Sequence, residues 1–138
     1  MHFLEKAGSK KIIELESIDY QMGLFSNFSD KEQELFLLQT IKETKQLSKE
    51  TDALVNAWKE GNAGGLESLM SKSIEGSPQM ARIYERILYE RNRNMADKIQ
   101  DFLRTDRTYF IVVGAGHLTG NKGILDLLKK RGYSIEQL

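Results

Sequence analysis

The chain has 138 residues, of which 40% are hydrophobic and 29% charged, and its 20 basic residues balance its 20 acidic ones. This composition fits a single domain and leaves no room for two. Zero net charge argues against a nucleic-acid-binding surface, and the lack of cysteine excludes a disulfide framework and thiolate chemistry. We find no signal peptide and no run of about 18 apolar residues, so the sequence predicts no membrane segment in this chain and leaves its compartment open.

The N-terminal part is predicted to contain a helix end and a short strand. Residues 1–8 are typical of the last turns of a helix that Gly8 closes. Residues 11–15 form a short apolar run that we predict to be a strand ending at Glu16. Ser17 or Asp19 can then cap a further helical segment.

A large helical insertion is predicted from about residue 29 to about residue 103. Ser29 and Glu32 have the spacing of a capping box, and Gly61 is placed to end a helix. Pro78 is the only proline, and it stands at the favoured first position of a helix that Ser77 caps.

The longest predicted helix, residues 78–103, carries a polar interruption on its apolar face. Its apolar positions recur at three- and four-residue spacing: Met80, Tyr84, Leu88, Met95, Ile99 and Phe102. Arg91 falls inside this stripe, and Asn92 lies beside it. A buried arginine is costly unless an anionic group meets it. Arg91 is therefore a structural ion-pair partner or an arginine that snorkels at the helix edge, which are the commoner cases, or it is part of a site.

Residues 109–120 combine an apolar run, two glycines and a histidine. The run at 109–113 has no polar interruption, which predicts a strand buried on both faces. Gly114 and Gly116 allow a sharp turn or a close backbone approach, and His117 follows where ligands gather beyond the carboxyl ends of strands. His117 is a candidate catalytic or metal-binding residue, with a turn hydrogen bond as the alternative. A helix at 120–132 and a strand at 133–135 would complete a right-handed βαβ unit.

Glu16 and His117 stand in equivalent places, each just past a short predicted strand. If these strands are parallel neighbours, we expect the two side chains within about 10 Å of each other at one edge of the sheet. Together with Arg91 they would suit metal-assisted or general acid–base hydrolysis. Two ligands are fewer than the three or more that a metal site normally needs, and His2, at a helix end, adds little.

A dinucleotide site is a more distant alternative. Gly114 and Gly116 would bind the cofactor, and Glu136 lies about 20 residues further on, as a ribose-binding acid would. The third glycine, Gly120, comes one position late for that fingerprint.

Several motifs, taken together, resemble the TraB/PrgY/GumN family, which includes the Tiki proteins. The resemblance covers essentially the whole chain and follows the order of that family's C-terminal half. The matching stretches are Leu15-Glu16 with Gln21, Ala57-Trp58, Glu90-Arg91-Asn92, Gly114-Ala-Gly-His117 and Arg131-Gly-Tyr133.

The resemblance implies a metal-dependent peptidase or hydrolase with an α/β fold related to erythromycin esterase and ChaN-like proteins. It implies manganese or cobalt as the metal and a peptide or protein as the substrate. Gly114 and His117 match the second of two Gly-x-x-His motifs, and Glu16 matches the family glutamate. Arg91 and Asn92 match a polar pair that would orient the substrate. Family members are often exported or membrane-associated.

The first Gly-x-x-His motif has no counterpart in this chain. We therefore expect residues 1–138 to form one incomplete domain that is weak or inactive alone. Such a domain would expose apolar surface that a second copy or another partner covers. The rival function is a non-catalytic peptide-binding or regulatory module, in the manner of the pheromone-shutdown members. The expected fold is α/β, with about three short strands in a mostly parallel sheet.

Overall fold

The structure is a computed structural model, and it describes residues 2–44, 47–72 and 77–138. The α-helices are α1 (His2–Ala7), α2 (Ile18–Ser26), α3 (Asp30–Thr44), α4 (Leu47–Lys59), α5 (Ala63–Ser71), α6 (Pro78–Tyr84), α7 (Glu90–Leu103) and α8 (Ile124–Lys130). A π-helical turn (Glu85–Tyr89) joins α6 to α7, and a 3-10 turn (Ala115–His117) precedes α8.

The expected α/β fold with a mostly parallel sheet is wrong, because the described residues contain no strand. The segments 11–15, 109–113 and 133–135 lie outside any helix, and no backbone hydrogen bonds join them to one another. The βαβ unit is therefore absent from the described part of the chain. The dinucleotide interpretation loses the strand on which its fingerprint depends.

The three segments are nevertheless packed, each through one side only. Their inward side chains contact the core between α7 and α8: Leu15, Ile111, Val113, Tyr133 and Ile135. Phe110 and Val112, by contrast, are 80% and 52% exposed. A parallel sheet needs helices over both faces, and here only one side of these segments is covered by the described helices. Residues 109–113 are therefore not buried on both sides, as the sequence had suggested.

Most of the helix ends predicted from the sequence are confirmed. Ser17 accepts a hydrogen bond from the Tyr20 amide at the start of α2. The capping box closes in both directions, since the Ser29 amide donates to Glu32 and the Glu32 amide donates to the Ser29 hydroxyl. Ser77 caps α6, with Pro78 in its first turn. Helix α8 begins only at Ile124, four residues later than predicted.

Two apolar clusters form the core, and the continuous helix of residues 78–103 contributes to both. The first lies between α7 and α8 and contains Met95, Ala96, Ile99, Ile124 and Leu128. The second lies where α6 meets α3 and contains Phe28, Met80 and Ile83. The π-helical turn lies between the parts of the helix that serve the two clusters.

The π-helical turn sets the rotation of α7 relative to α6. In a regular α-helix successive residues are about 100° apart, so Ile83 and Asn92 would lie about 180° apart, on opposite sides. A π turn spreads one helical turn over more residues and so changes the angle between the flanking faces. Ile83, which precedes the π-helical turn, and Asn92, which follows it, are both buried, at 0% and 1% exposure.

The chain exposes more surface than a compact protein of its size. Its accessible surface is 10309 Å², roughly 3,000 Å² above the value of about 7,300 Å² that is typical of a compact monomer of this mass. Large apolar side chains contribute to that surface on several elements, among them Phe3, Ile12, Leu37, Leu38, Trp58 and Phe110. No helix in the described ranges is both long and apolar enough to cross a membrane.

Candidate active site

Glu16 and Arg91 form a paired carboxylate and guanidinium between the start of α2 and the middle of the long helix. Arg91 Nε donates to Glu16 Oε1 at 2.9 Å, and Nη2 donates to Oε2 at 2.6 Å. The Glu16 side chain is only 6% exposed and that of Arg91 19%. This two-point contact is the strong form of such a pair. It balances the positive charge that Arg91 places in the apolar stripe of the helix.

Further hydrogen bonds hold both Glu16 and Arg91 in position. Lys98 Nζ donates to the backbone carbonyl of Leu15 at 2.6 Å, which ties the residue before Glu16 to α7. Arg91 Nη1 donates to the carbonyl of Ile87 at 3.0 Å, inside the π-helical turn. Gln21 adds a longer hydrogen bond, 3.3 Å, to Glu16 Oε2. The π-helical turn therefore takes part directly in positioning Arg91.

Asn92 and His117 form the second half of the cluster. Asn92 is 1% exposed, and its Nδ2 donates to the backbone carbonyl of Lys122 at 2.9 Å. Because a carbonyl can only accept, this contact fixes which end of the amide is nitrogen. The Oδ1 atom then faces His117 Nδ1 at 2.6 Å, so Nδ1 must carry the proton. In neutral His117 the unprotonated nitrogen is therefore Nε2, for which the described residues provide no hydrogen-bond partner.

The 3-10 turn that carries His117 is packed closely against α5. The His117 amide donates to the carbonyl of Gly114 at 2.9 Å, which closes the turn. A Cβ atom at Gly116 would lie 2.5 Å from Cε of Met70 on α5, so the end of that flexible side chain would have to shift. A Cβ atom at Gly114 would meet only His117 Cδ2, at an ordinary 3.7 Å. Of the two glycines, Gly116 is thus the one whose substitution would displace a neighbouring side chain.

The electrostatic environment favours a neutral imidazole. Burial lowers the pKa of His117 below its ordinary value, and the positive charge of Arg91 lowers it further, while Glu16 acts in the opposite direction. Arg91 and Glu16 both act on His117, so all three groups belong to one electrostatic site. Hydrogen bonding to Glu16 raises the pKa of Arg91, which stays charged.

This donor set does not fit a complete metal site. Both oxygens of Glu16 accept hydrogen bonds from Arg91, and Nδ1 of His117 is engaged by Asn92. His117 Nε2 is the remaining imidazole donor, whereas a protein metal site normally uses three or more ligands. Across the described ranges, no group of three or more His, Cys, Asp or Glu side chains is placed to hold a metal ion.

The structure brings together the four residues that the sequence singled out. Arg91 and Asn92 are neighbours on α7, and they contact Glu16 and His117, respectively. Glu136, the residue of the dinucleotide alternative, is exposed after α8 and has no described contact with these four residues. Sequence reasoning missed the contributions of Lys122, Ile87 and Leu15, which act through backbone carbonyls. A carbonyl is present at every position, so no residue pattern could have identified these three.

The chain is similar in sequence to a known protein family and to several curated proteins. The family model described as "TraB/PrgY/gumN family" matches residues 2–137. A metalloprotease TIKI homolog of Amphimedon queenslandica is 40% identical over 58 residues, and one of Nematostella vectensis is 36% identical over 52 residues. Human metalloprotease TIKI1 is 35% identical over 52 residues. No solved structure matches the chain.

These matches cover a small part of each relative. They span 41%, 36% and 36% of this chain, but only 11%, 11% and 10% of the three relatives' own lengths. The chain therefore corresponds to a minor fraction of the curated proteins that it is similar to.

Proposed function

Because the chain belongs to the TraB/PrgY/gumN family, we propose that Glu16, Arg91, Asn92 and His117 form part of a hydrolytic site that acts on peptides or proteins. The relatives named as metalloproteases support a peptidase-like chemistry. The observation that carries the proposal is the hydrogen bond of 2.6 Å between His117 Nδ1 and Asn92 Oδ1.

In this proposal His117 is the group that accepts a proton. With Nδ1 protonated and bound to Asn92, the lone pair of Nε2 is available to a water molecule. Transfer of a proton from that water to Nε2 would accompany attack of its oxygen on the peptide carbonyl. The lowered pKa keeps this base unprotonated at neutral pH.

Arg91 would orient the carbonyl under attack. A guanidinium has five N–H donors, and the contacts with Glu16 and Ile87 leave N–H groups on Nη1 and Nη2 without a described partner. These groups can donate to a carbonyl oxygen that gains negative charge in the transition state. Glu16 holds the guanidinium in place and balances its charge.

The manganese or cobalt that the family resemblance implies would need ligands beyond this cluster. The cluster itself offers one imidazole nitrogen without a described partner, His117 Nε2. We expect the chain by itself to bind these metals weakly, because each missing ligand removes a large share of the affinity.

The first prediction tests His117 by isothermal titration calorimetry with manganese, cobalt and zinc salts, beside a fluorogenic peptide assay. We expect dissociation constants above about 1 μM, because a cluster that offers a single imidazole nitrogen is a poor metal site. His117→Gln should abolish both that binding and any residual peptide cleavage. His2→Gln removes the chain's other histidine and is the matched control, which should leave both signals unchanged.

Two results would contradict this proposal. Sub-micromolar metal binding with ready turnover would mean that the chain holds a complete site. Peptide binding without cleavage, equal in the native chain and His117→Gln, would favour the non-catalytic peptide-binding module instead.

A further inference from the structure

The proposed site depends on a backbone carbonyl, that of Lys122, which lies in the loop between the 3-10 turn and α8. That carbonyl accepts from Asn92 Nδ2 and so decides which atom of Asn92 faces His117. A loop carbonyl can act in this way only if its residue is held in place. The side chain of Lys122 holds this residue in place.

The Lys122 ammonium binds two residues of the π-helical turn. Its Nζ donates to Glu85 Oε2 at 3.0 Å and lies 4.3 Å from the centre of the Tyr89 ring. A hydrogen-bonded ion pair and a cation–π contact thus converge on one ammonium. Glu85 is itself held by Arg93 Nη1 at 2.7 Å, from the following turns of the same helix.

Lys122 is therefore attached to the helix of residues 78–103 at both of its ends. Its carbonyl contacts Asn92 on α7, and its ammonium contacts the π-helical turn a few residues earlier. The next residue, Gly123, is buried, and a Cβ atom there would collide with the carbonyl oxygens of Leu118 and Thr119, so this end of the loop is closely packed.

We propose that Lys122, clamped by Glu85 and Tyr89, is a positioning residue that fixes the amide of Asn92 and thereby the tautomer of His117. None of these three side chains contacts His117 itself in the described structure, so their effect passes through the carbonyl of Lys122. The proposal rests on the proposed function, because the tautomer matters only if His117 Nε2 is the reacting atom.

Removal of the clamp has a specific consequence for the imidazole. If the carbonyl of Lys122 moves away, the amide of Asn92 is free to turn and present Nδ2 to His117. Nδ1 would then have to accept, and the proton would move to Nε2. The tautomer protonated on Nε2 should then become detectable beside the one protonated on Nδ1.

The experiment measures ¹⁵N chemical shifts of the His117 ring, which distinguish protonated from unprotonated nitrogen without substrate or metal. We expect the native protein to hold the proton on Nδ1, and Lys122→Met to show both tautomers. Glu85→Gln should act in the same direction. Lys122→Arg keeps a cation within reach of Glu85 and should restore the native pattern.

The controls separate this role from a general effect of charge or stability. Asp101→Asn removes another exposed carboxylate that accepts from an arginine, since Asp101 Oδ1 lies 3.1 Å from Arg104, and it should leave His117 unchanged. Exposed ion pairs add little to global stability, so Lys122→Met should unfold at nearly the native temperature. If Lys122→Met does not fold, Glu85→Gln carries the test.

A native tautomer pattern in folded Lys122→Met, or in Glu85→Gln if that variant carries the test, would overturn the inference. An equal change in Asp101→Asn would do the same. Because the shifts are read on the free protein, loss of the proposed peptidase function would not produce or hide either result.

Discussion

The side-chain amide of Asn92 connects the backbone carbonyl of Lys122 to the imidazole of His117. Each atom in these two hydrogen bonds can act either as donor or as acceptor, but not as both. Lys122 supplies an acceptor, Asn92 supplies a donor and an acceptor, and His117 supplies the donor. A buried polar side chain is costly unless its hydrogen bonds are made. Both polar atoms of the Asn92 amide have a partner, at a position that is 1% exposed.

The burial of His117 makes the stability of the protein depend on pH. Because its folded-state pKa lies below the ordinary value of about 6.5, the folded protein binds fewer protons than the unfolded chain as pH falls through that value. The stability associated with the neutral imidazole is present above about pH 6.5 and is lost toward the lower, folded-state pKa. We expect the free energy of unfolding to fall more steeply in the native protein than in His117→Gln between about pH 7.5 and about pH 5.5.

Urea unfolding at the two pH values and an NMR titration of the His117 ring measure this effect. His2→Gln controls for titration at the other histidine and should keep the native pH dependence. A His117 pKa at or above about 6.5 would show that desolvation and Arg91 do not dominate its environment.

The π-helical turn is the element on which the geometry of the site depends most. Sequence periodicity assumes a regular α-helix, and on that assumption Tyr84 and Leu88 belong to the apolar stripe. In the structure both are half-buried, while Ile83 and Ala96 are buried completely. A pattern that treats all turns as equal cannot show where one turn contains an extra residue.

Deletion of one residue from the π-helical turn should be tolerated better than deletion from α7. Without Leu88 the helix can continue in regular α geometry with Ile83 and Asn92 about 80° apart, so both faces still meet their clusters. Without Asn94, by contrast, Met95 and Ile99 rotate by about 100° relative to Asn92. We expect the Leu88 deletion to unfold cooperatively and at a higher temperature than the Asn94 deletion.

Thermal unfolding followed by circular dichroism compares the two deletions. Leu88 is half-buried and Asn94 exposed, so the simple loss of buried surface predicts the opposite order. A lower unfolding temperature for the Leu88 deletion would therefore rule out the register argument.

Local features of the chain could be predicted from its sequence, whereas pairing between distant segments could not. The capping residues Ser29 and Ser77 act within their own helices, so local sequence identified them, and it narrowed the cap of α2 to Ser17 or Asp19, of which the structure uses Ser17. The apolar run at 109–113 indicated a strand, but a strand exists only if a partner backbone pairs with it. Glu16 and Arg91 were identified separately as candidate site residues, and an ion pair of Arg91 with an unnamed partner was one of the outcomes left open.

At the scale of the whole molecule, the excess of exposed surface should appear in the thermodynamics of unfolding. The heat capacity change on unfolding follows the apolar surface that becomes exposed, typically about 12–15 cal/mol/K per residue. A chain whose folded state already exposes roughly 3,000 Å² more than a compact monomer has less surface left to expose. We expect the heat capacity change to lie below about 1.7 kcal/mol/K for the 138 residues.

Differential scanning calorimetry at several protein concentrations tests this value and the predicted self-association together. If copies of the chain cover one another's apolar surface, the unfolding temperature should rise with concentration, and sedimentation should detect a dimer or larger species. A heat capacity change in the ordinary range, with no dependence on concentration, would mean that the chain in solution is more compact than the structure described here.

The contact between Met70 and Gly116 has a consequence for the chemical durability of the site. A thioether is readily oxidised to a sulfoxide, which is polar, chiral and larger. Met70 is only half-buried, and its end lies where even one added methyl group at Gly116 would collide. We therefore expect oxidation of Met70 to change the packing beside the turn that carries His117, and methionine sulfoxide reductase could reverse that change.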